Sequence, residues 1–148
     1  MKPLVLTFLL LLPSVLAAKE HQVKLLTANS SGQTMIMQPE FLKITIGDSV
    51  RFIPSDASHN AQSIVVPNGA VAFNTPIGKA AVVEFKQEGA FLYKCTPHFA
   101  LGMIGVIQVG KAVNKTEVNN QWHSIKAGVV MNQKRVAATL AQMNNKKD

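Results

Sequence analysis

Between Cys95 and Met103 the chain reads Cys95-Thr96-Pro97-His98-Phe99-Ala100-Leu101-Gly102-Met103, so a thiol, an imidazole and a thioether fall within one short segment. A second imidazole, His59, stands far upstream, just after Pro54-Ser55-Asp56-Ala57-Ser58. Thiolate and thioether are soft donors that favour Cu(I), whereas imidazole serves both Cu(I) and Cu(II). Two histidines and a cysteine in a trigonal set, with a methionine as weak axial donor, make a copper site that exchanges electrons. Such a set leaves no open position for water or substrate, unlike a catalytic zinc. The expected chemistry is therefore movement of single electrons and no bond making. His59, Cys95, His98 and Met103 are the expected ligands of one copper ion cycling between Cu(I) and Cu(II).

Other uses of these residues fit less well. Cys95 is the one cysteine of the chain, so no disulfide can form within it. As a nucleophile with His98 as base, Cys95 would need an oxyanion hole and a substrate cleft, and the pattern supplies neither. A binuclear copper site would want a second cysteine in the loop. His21 near the start and His123 beside Trp122 read as surface or internally satisfied side chains. Within the loop, Pro97 lacks an N–H and stiffens the link between Cys95 and His98. Gly102 and Gly105 are expected to let the backbone turn around Met103. Asn60, next to His59, is placed to bridge by hydrogen bonds to the cysteine loop and hold the two ligand segments together.

The elements that must position these residues are short strands. Val23 and Leu25 alternate, as do Leu42, Ile44 and Ile46, then Val50 and Phe52. Met35-Ile36-Met37, Val82-Val83-Glu84-Phe85, Phe91-Leu92-Tyr93 and Val106-Ile107-Gln108-Val109 supply further segments. Turn residues at Asn29-Ser30-Ser31-Gly32, Gly47-Asp48 and Glu88-Gly89 separate them. Period-two patterning at this spacing predicts an antiparallel β-sandwich. After Gly110 the period changes. Asn114 and Glu117 have the spacing of a capping box, followed by Val118, Trp122 and Ile125 on one helical face. Gly128 can end that helix, and Asn132 can cap a second one carrying Val136, Leu140 and Met143. Two sequons, at Asn29 and Asn114, would matter only in a eukaryotic secretory route, which nothing else suggests.

Lys2, the apolar run Leu4–Leu12 and the small residues Val15-Leu16-Ala17-Ala18 predict a signal peptide over residues 1–17, with cleavage after Ala18 as the alternative. About 130 residues then remain, which suits one domain, 18–148, with its helices over 114–146. The full chain carries a formal charge of +7. Removing Lys2 leaves 14 basic residues against 8 acidic ones, or +6. An exported domain without clustered lysines and interleaved aromatics does not read as a nucleic-acid binder. The charge suits an acidic protein partner instead, met through electrostatic steering.

These segments together carry a resemblance. Met35-Ile36-Met37-Gln38-Pro39, Gly47-Asp48-Ser49-Val50, Phe52-Ile53-Pro54, His59-Asn60, the loop from Cys95 to Met103, Gly105 to Gly110 and the two terminal helices resemble the pseudoazurin group of the cupredoxin family. The Cys-x2-His-x4-Met spacing is shared with plastocyanin, and the helices are what favour the pseudoazurin group. The resemblance implies a mainly β fold, an eight-stranded Greek-key β-sandwich (cupredoxin) with two C-terminal α-helices. It implies a small monomeric periplasmic blue-copper electron carrier and no enzyme. Its implied partners are an acidic acceptor such as a copper nitrite reductase and a small redox donor such as a cytochrome, with no membrane span after cleavage. Pro97, Phe99, Ala100, Leu101 and Ile104 would surround the edge of His98 with apolar surface. The alternative from another class is an exported copper-binding protein for storage or delivery. Such proteins commonly use exposed Met-rich or His-rich tracts, which this sequence lacks.

Overall fold

A computed structural model describes residues 17–144. The leader reading rests on residues 1–16 and 17, so all but its last residue lies outside the described residues, as do 145 and 146 of the expected second helix. Among the described residues, eight strands form two four-stranded sheets. They are β1 (Glu20–Ala28), β2 (Thr34–Gln38), β3 (Phe41–Ile44), β4 (Ser49–Pro54), β5 (Gln62–Val65), β6 (Ala81–Glu84), β7 (Gly89–Lys94) and β8 (Ile104–Val109). One sheet runs β2-β1-β4-β6 and the other β3-β8-β7-β5. The chain first switches sheets at Pro39-Glu40, between β2 and β3, and crosses again at each connection up to β7, giving the Greek-key path.

The sandwich is not purely antiparallel. β1 pairs with β4 in parallel, and so does β3 with β8. Alternation of apolar residues reports which face of a strand is buried and carries no information on the direction of its neighbour. β5 was hidden for a related reason: its residues are mostly half-buried, and a bulge between Ser63 and Val65 breaks the period.

The sequence of β7 and β8 is apolar on both faces because both faces are covered. Phe91, Tyr93, Ile107 and Val109 join Val23, Leu25, Val50, Phe52 and Phe85 in the core between the sheets. Ala90, Leu92, Ile104 and Val106 alternate with them and face a second core made by the helices. There they meet Val118 and Trp122 of α1 (Lys115–Ile125) and Val136, Leu140 and Met143 of α2 (Gln133–Asn144). Each large side chain so buried is worth roughly 1.5–3 kcal/mol, so the helices complete the second sheet. In the first core Phe85 and Phe91 meet edge to face at 4.9 Å, and Phe52 meets Tyr93 at 5.4 Å.

The helix starts differ from the capping expected for them. The Asn114 side chain makes no cap hydrogen bond. It reaches the neighbouring sheet instead: the Ala90 N–H donates to Asn114 Oδ1 at 2.7 Å, and Asn114 Nδ2 donates to the Ala90 carbonyl at 3.0 Å. A backbone strand edge offering both a donor and an acceptor satisfies both ends of the amide, which a helix N-terminus cannot. α1 passes at Ile125 into a 3₁₀ turn, Lys126–Gly128. Asn132 takes φ 60°, and its carbonyl accepts the Val136 N–H, while its Nδ2 donates to the Leu101 carbonyl at 2.8 Å. α2 is further tied down by Arg135, whose Nε lies 2.6 Å from Glu40 Oε1 and whose guanidinium donates to the carbonyls of Thr34, Met35 and Gly102.

At the turn between β3 and β4, the buried carboxylate of Asp48 holds the entry to β1. It accepts from Lys19 N and His21 Nε2 at 2.8 Å each, and from Thr45 N and Oγ1 at 3.1 and 3.0 Å.

Candidate metal centre

His59 lies on the connection from β4 to β5. Cys95 follows β7 directly, and His98 and Met103 lie on the β7–β8 loop. That loop folds as one 3₁₀ turn, Phe99–Leu101, closed by Gly102 at φ 74°. A side chain at Gly102 would be strained there and would also come within 2.6 Å of the Met131 carbonyl. Gly105 is needed for a different reason than turning. It sits within β8 opposite Tyr93, and a Cβ there would run into the Tyr93 ring. The base of the loop is closed by Cys95 N–H donating to the Met103 carbonyl at 2.9 Å.

The loop and the β4–β5 connection bring three donor atoms together. His59 Nδ1 and His98 Nδ1 are 3.2 Å apart, and Cys95 Sγ lies 3.8 Å from the first and 3.5 Å from the second. His59 and Cys95 are fully buried, His98 is half-buried, and Met103 is fully buried in the same core cluster as Cys95. Burial pushes the Cys95 thiol up, against the opposing pull of the Asn60 and His98 backbone N–H groups. Burial likewise pushes His59 down, opposed by the charge of Asp56 and helped by that of His98. Both effects favour uncharged groups until a cation arrives, and a bound cation reverses the balance for the thiol. The donors suit copper: soft sulfur with two imidazole nitrogens, in a recess closed to bulk water on the His59 and Cys95 side.

Asn60 makes the bridge anticipated for it. The Thr96 N–H donates to Asn60 Oδ1 at 2.7 Å, and Asn60 Nδ2 donates to Thr96 Oγ1 and Asn74 Oδ1 at 3.0 Å each. The segment carrying His59 is thereby fixed to the one carrying Cys95 and His98. His21 pairs with Asp48 and the exposed His123 lies beside Lys126, so neither joins the cluster.

Around His98 the surface is apolar, with one exception to the expected set. Pro97 and Ala100 are exposed, and Phe99 and Leu101 partly so, but Ile104 is 1% exposed. As the first residue of β8, Ile104 faces the helix-side core. Two exposed apolar residues not anticipated from the sequence adjoin the ligand loop: Val130 and Met131, 74% and 50% exposed, whose N–H groups both donate to the Ala100 carbonyl. Also unanticipated were Thr27 and Asp56, which lie at Nε2 of His59. Asp56 is only three positions before its histidine, but Thr27 is brought there by the parallel pairing of β1 with β4.

A family model for copper-binding proteins of the plastocyanin/azurin family matches residues 23–110. A pseudoazurin of Paracoccus pantotrophus is 33% identical over 86% of this chain and 86% of its own length. The crystal structure of native pseudoazurin from Hyphomicrobium denitrificans superposes with a TM-score of 0.71 at 36% identity, covering 83% of this chain and 97% of that one. Pseudoazurin from Methylobacterium extorquens AM1 gives a TM-score of 0.70 at 32% identity, over 84% and 98% of the two chains.

Proposed function

The chain belongs to the plastocyanin/azurin family of copper-binding proteins, and from that membership we propose that it is a periplasmic electron carrier in which His59, Cys95, His98 and Met103 hold one copper ion. The observation that carries this reading is the convergence of His59 Nδ1, Cys95 Sγ and His98 Nδ1 at one end of the sandwich. Bound there, copper supplies a one-electron couple between Cu(I) and Cu(II). The protein's own part is to keep the donors still. Asn60 locks the two ligand segments, the Cys95–Met103 backbone bond closes the loop, and Gly102 packs it against the segment before α2. Ligands that cannot rearrange keep the reorganisation on electron transfer small. Met103, buried in the same core cluster as Cys95, would supply its thioether as a fourth, weaker donor.

His98 is the one imidazole of the pair that reaches the surface, within Pro97, Phe99, Ala100, Leu101, Val130 and Met131. A partner seated on this apolar rim stands within one side chain of the donor set. The formal charge of +6 left once Lys2 is removed favours encounter with an acidic acceptor such as a copper nitrite reductase, and a small cytochrome suits the role of electron donor. Among the described residues no helix is long and apolar enough to cross a membrane.

Stopped-flow oxidation of the reduced protein by a periplasmic copper nitrite reductase, across a salt series, tests this. Rates should fall as salt rises, since the Debye length is ~10 Å at 0.1 M. Leu101→Glu should slow transfer at every salt concentration while leaving the visible spectrum unchanged. Salt-independent rates, or an unaffected Leu101→Glu, would move the docking face elsewhere. Repeated redox cycles with loss of copper would favour storage or delivery instead.

A further inference from the structure

His59 turns Nδ1 toward Cys95 and His98, so the groups at its other nitrogen decide which tautomer it holds. Nε2 lies 2.9 Å from Thr27 Oγ1 and 3.3 Å from Asp56 Oδ2. Thr27 Oγ1 is itself 2.6 Å from Asp56 Oδ2. An ionised carboxylate can only accept, and a hydroxyl has a single proton to give. Thr27 therefore donates to Asp56 and must accept from His59. The proton of the neutral imidazole is thus on Nε2, and the lone pair is on Nδ1, facing the other two donors.

Asp56 is built to stay a carboxylate in this place. Its Oδ1 accepts the Ser58 N–H at 2.8 Å and the Ser58 hydroxyl, and its Oδ2 accepts from Ser55 Oγ at 3.3 Å. Thr27 and Asp56 come from segments that the β1–β4 parallel pair holds side by side: Leu25 is in register with Pro54, and the Ser55 N–H donates to the Leu25 carbonyl at 2.9 Å.

We propose that Asp56, directly and through Thr27, is the positioning carboxylate of this centre: it fixes His59 as the tautomer with its lone pair on Nδ1 and lowers the reduction potential of the copper held there. The proposal rests on the reading of His59 as a copper ligand. A negative charge behind a ligating imidazole makes it a stronger donor and favours the more highly charged state of the metal. The Asp56 side chain is 42% exposed, so water screens part of this effect and the shift is modest.

Two measurements test it. In the metal-free protein, ¹⁵N–¹H correlation spectra of the imidazoles should show His59 protonated on Nε2, with that preference weakened in Thr27→Val and in Asp56→Asn. In the copper-loaded protein, Asp56→Asn should shift the redox equilibrium against a reference couple three- to tenfold toward the reduced form, ~28–59 mV for a one-electron couple. Asp56→Asn keeps an oxygen for the Ser58 N–H, and Thr27→Val keeps side-chain shape, so loss of fold does not mask either result. A metal-free His59 carrying its proton on Nδ1 would overturn the tautomer assignment. A potential unchanged or lowered in Asp56→Asn would overturn the tuning role. Failure of the unaltered protein to bind copper would instead defeat the proposed function, and the metal-free spectra would still decide the tautomer.

Discussion

Replacing Asn60 with alanine removes the side chain that joins the two ligand segments. Asn60 is 2% exposed and takes part in three hydrogen bonds, of 2.7, 3.0 and 3.0 Å, to Thr96 N, Thr96 Oγ1 and Asn74 Oδ1. At a net ~1 kcal/mol for each bond, Asn60→Ala should cost about 3 kcal/mol. For a chain of 148 residues, at about 4 °C per kcal/mol, the melting temperature should fall by about 12 °C. Thermal unfolding of the metal-free protein followed by circular dichroism measures this without any contribution from bound metal. Asn60→Asp keeps the acceptor for the Thr96 N–H and loses both donated bonds, so it should fall between the two. Copper should also dissociate faster from Asn60→Ala, because His59 is then no longer tied to the loop of Cys95 and His98. A metal-free Asn60→Ala that melts within about 1 kcal/mol of the unaltered protein would refute the bridging argument.

Met103→Leu should keep copper and colour but raise the reduction potential, because a donor to Cu(II) is lost, whereas His59→Ala should damage the centre itself; titration with copper and voltammetry check both, and equal loss of copper from the two would refute the division into strong and weak ligands. Asp48 gives a pH prediction. Its burial would raise the carboxyl, but the donors from Lys19, His21 and Thr45 outweigh that and hold it well below the usual range. A depressed folded-state value contributes stability that is fully present above the unfolded value of about 3.9 and is lost progressively as the pH falls below that and through the depressed folded-state value. Melting temperatures should therefore drop between about pH 5 and pH 3, and less steeply in Asp48→Asn; equal slopes would show that Asp48 is not a source of the acid sensitivity.

The grouping of His59 with Cys95 and His98 was legible because one cysteine, a histidine and a methionine in one loop have few other uses. Asn60 was legible from adjacency, since it follows His59 directly. The apolar runs of β7 and β8 pointed to burial, and the helices that cover their second face were visible in the change of period after Gly110. What the sequence hid was mostly contact between distant segments. The parallel pairing of β1 with β4 leaves no trace in alternation, so Thr27 could not be placed at His59. Asn114 has the spacing of a cap, yet the paired donor and acceptor of Ala90 hold its amide more fully. Ile104 looked like surface because it follows the ligand loop, whereas strand geometry turns it into the helix-side core. β5 lacks alternation altogether because it is half-buried and bulged.

In the function proposed above, Cys95 joins His59 and His98 in binding copper as a thiolate. Its most direct test is the visible spectrum of the purified protein on addition of Cu(II), beside that of Cys95→Ser. One copper per chain should bind and give an intense blue or green thiolate charge-transfer band, absent from the serine variant. A colourless protein, whose bound copper shows only a signal typical of oxygen and nitrogen ligands, would contradict the account.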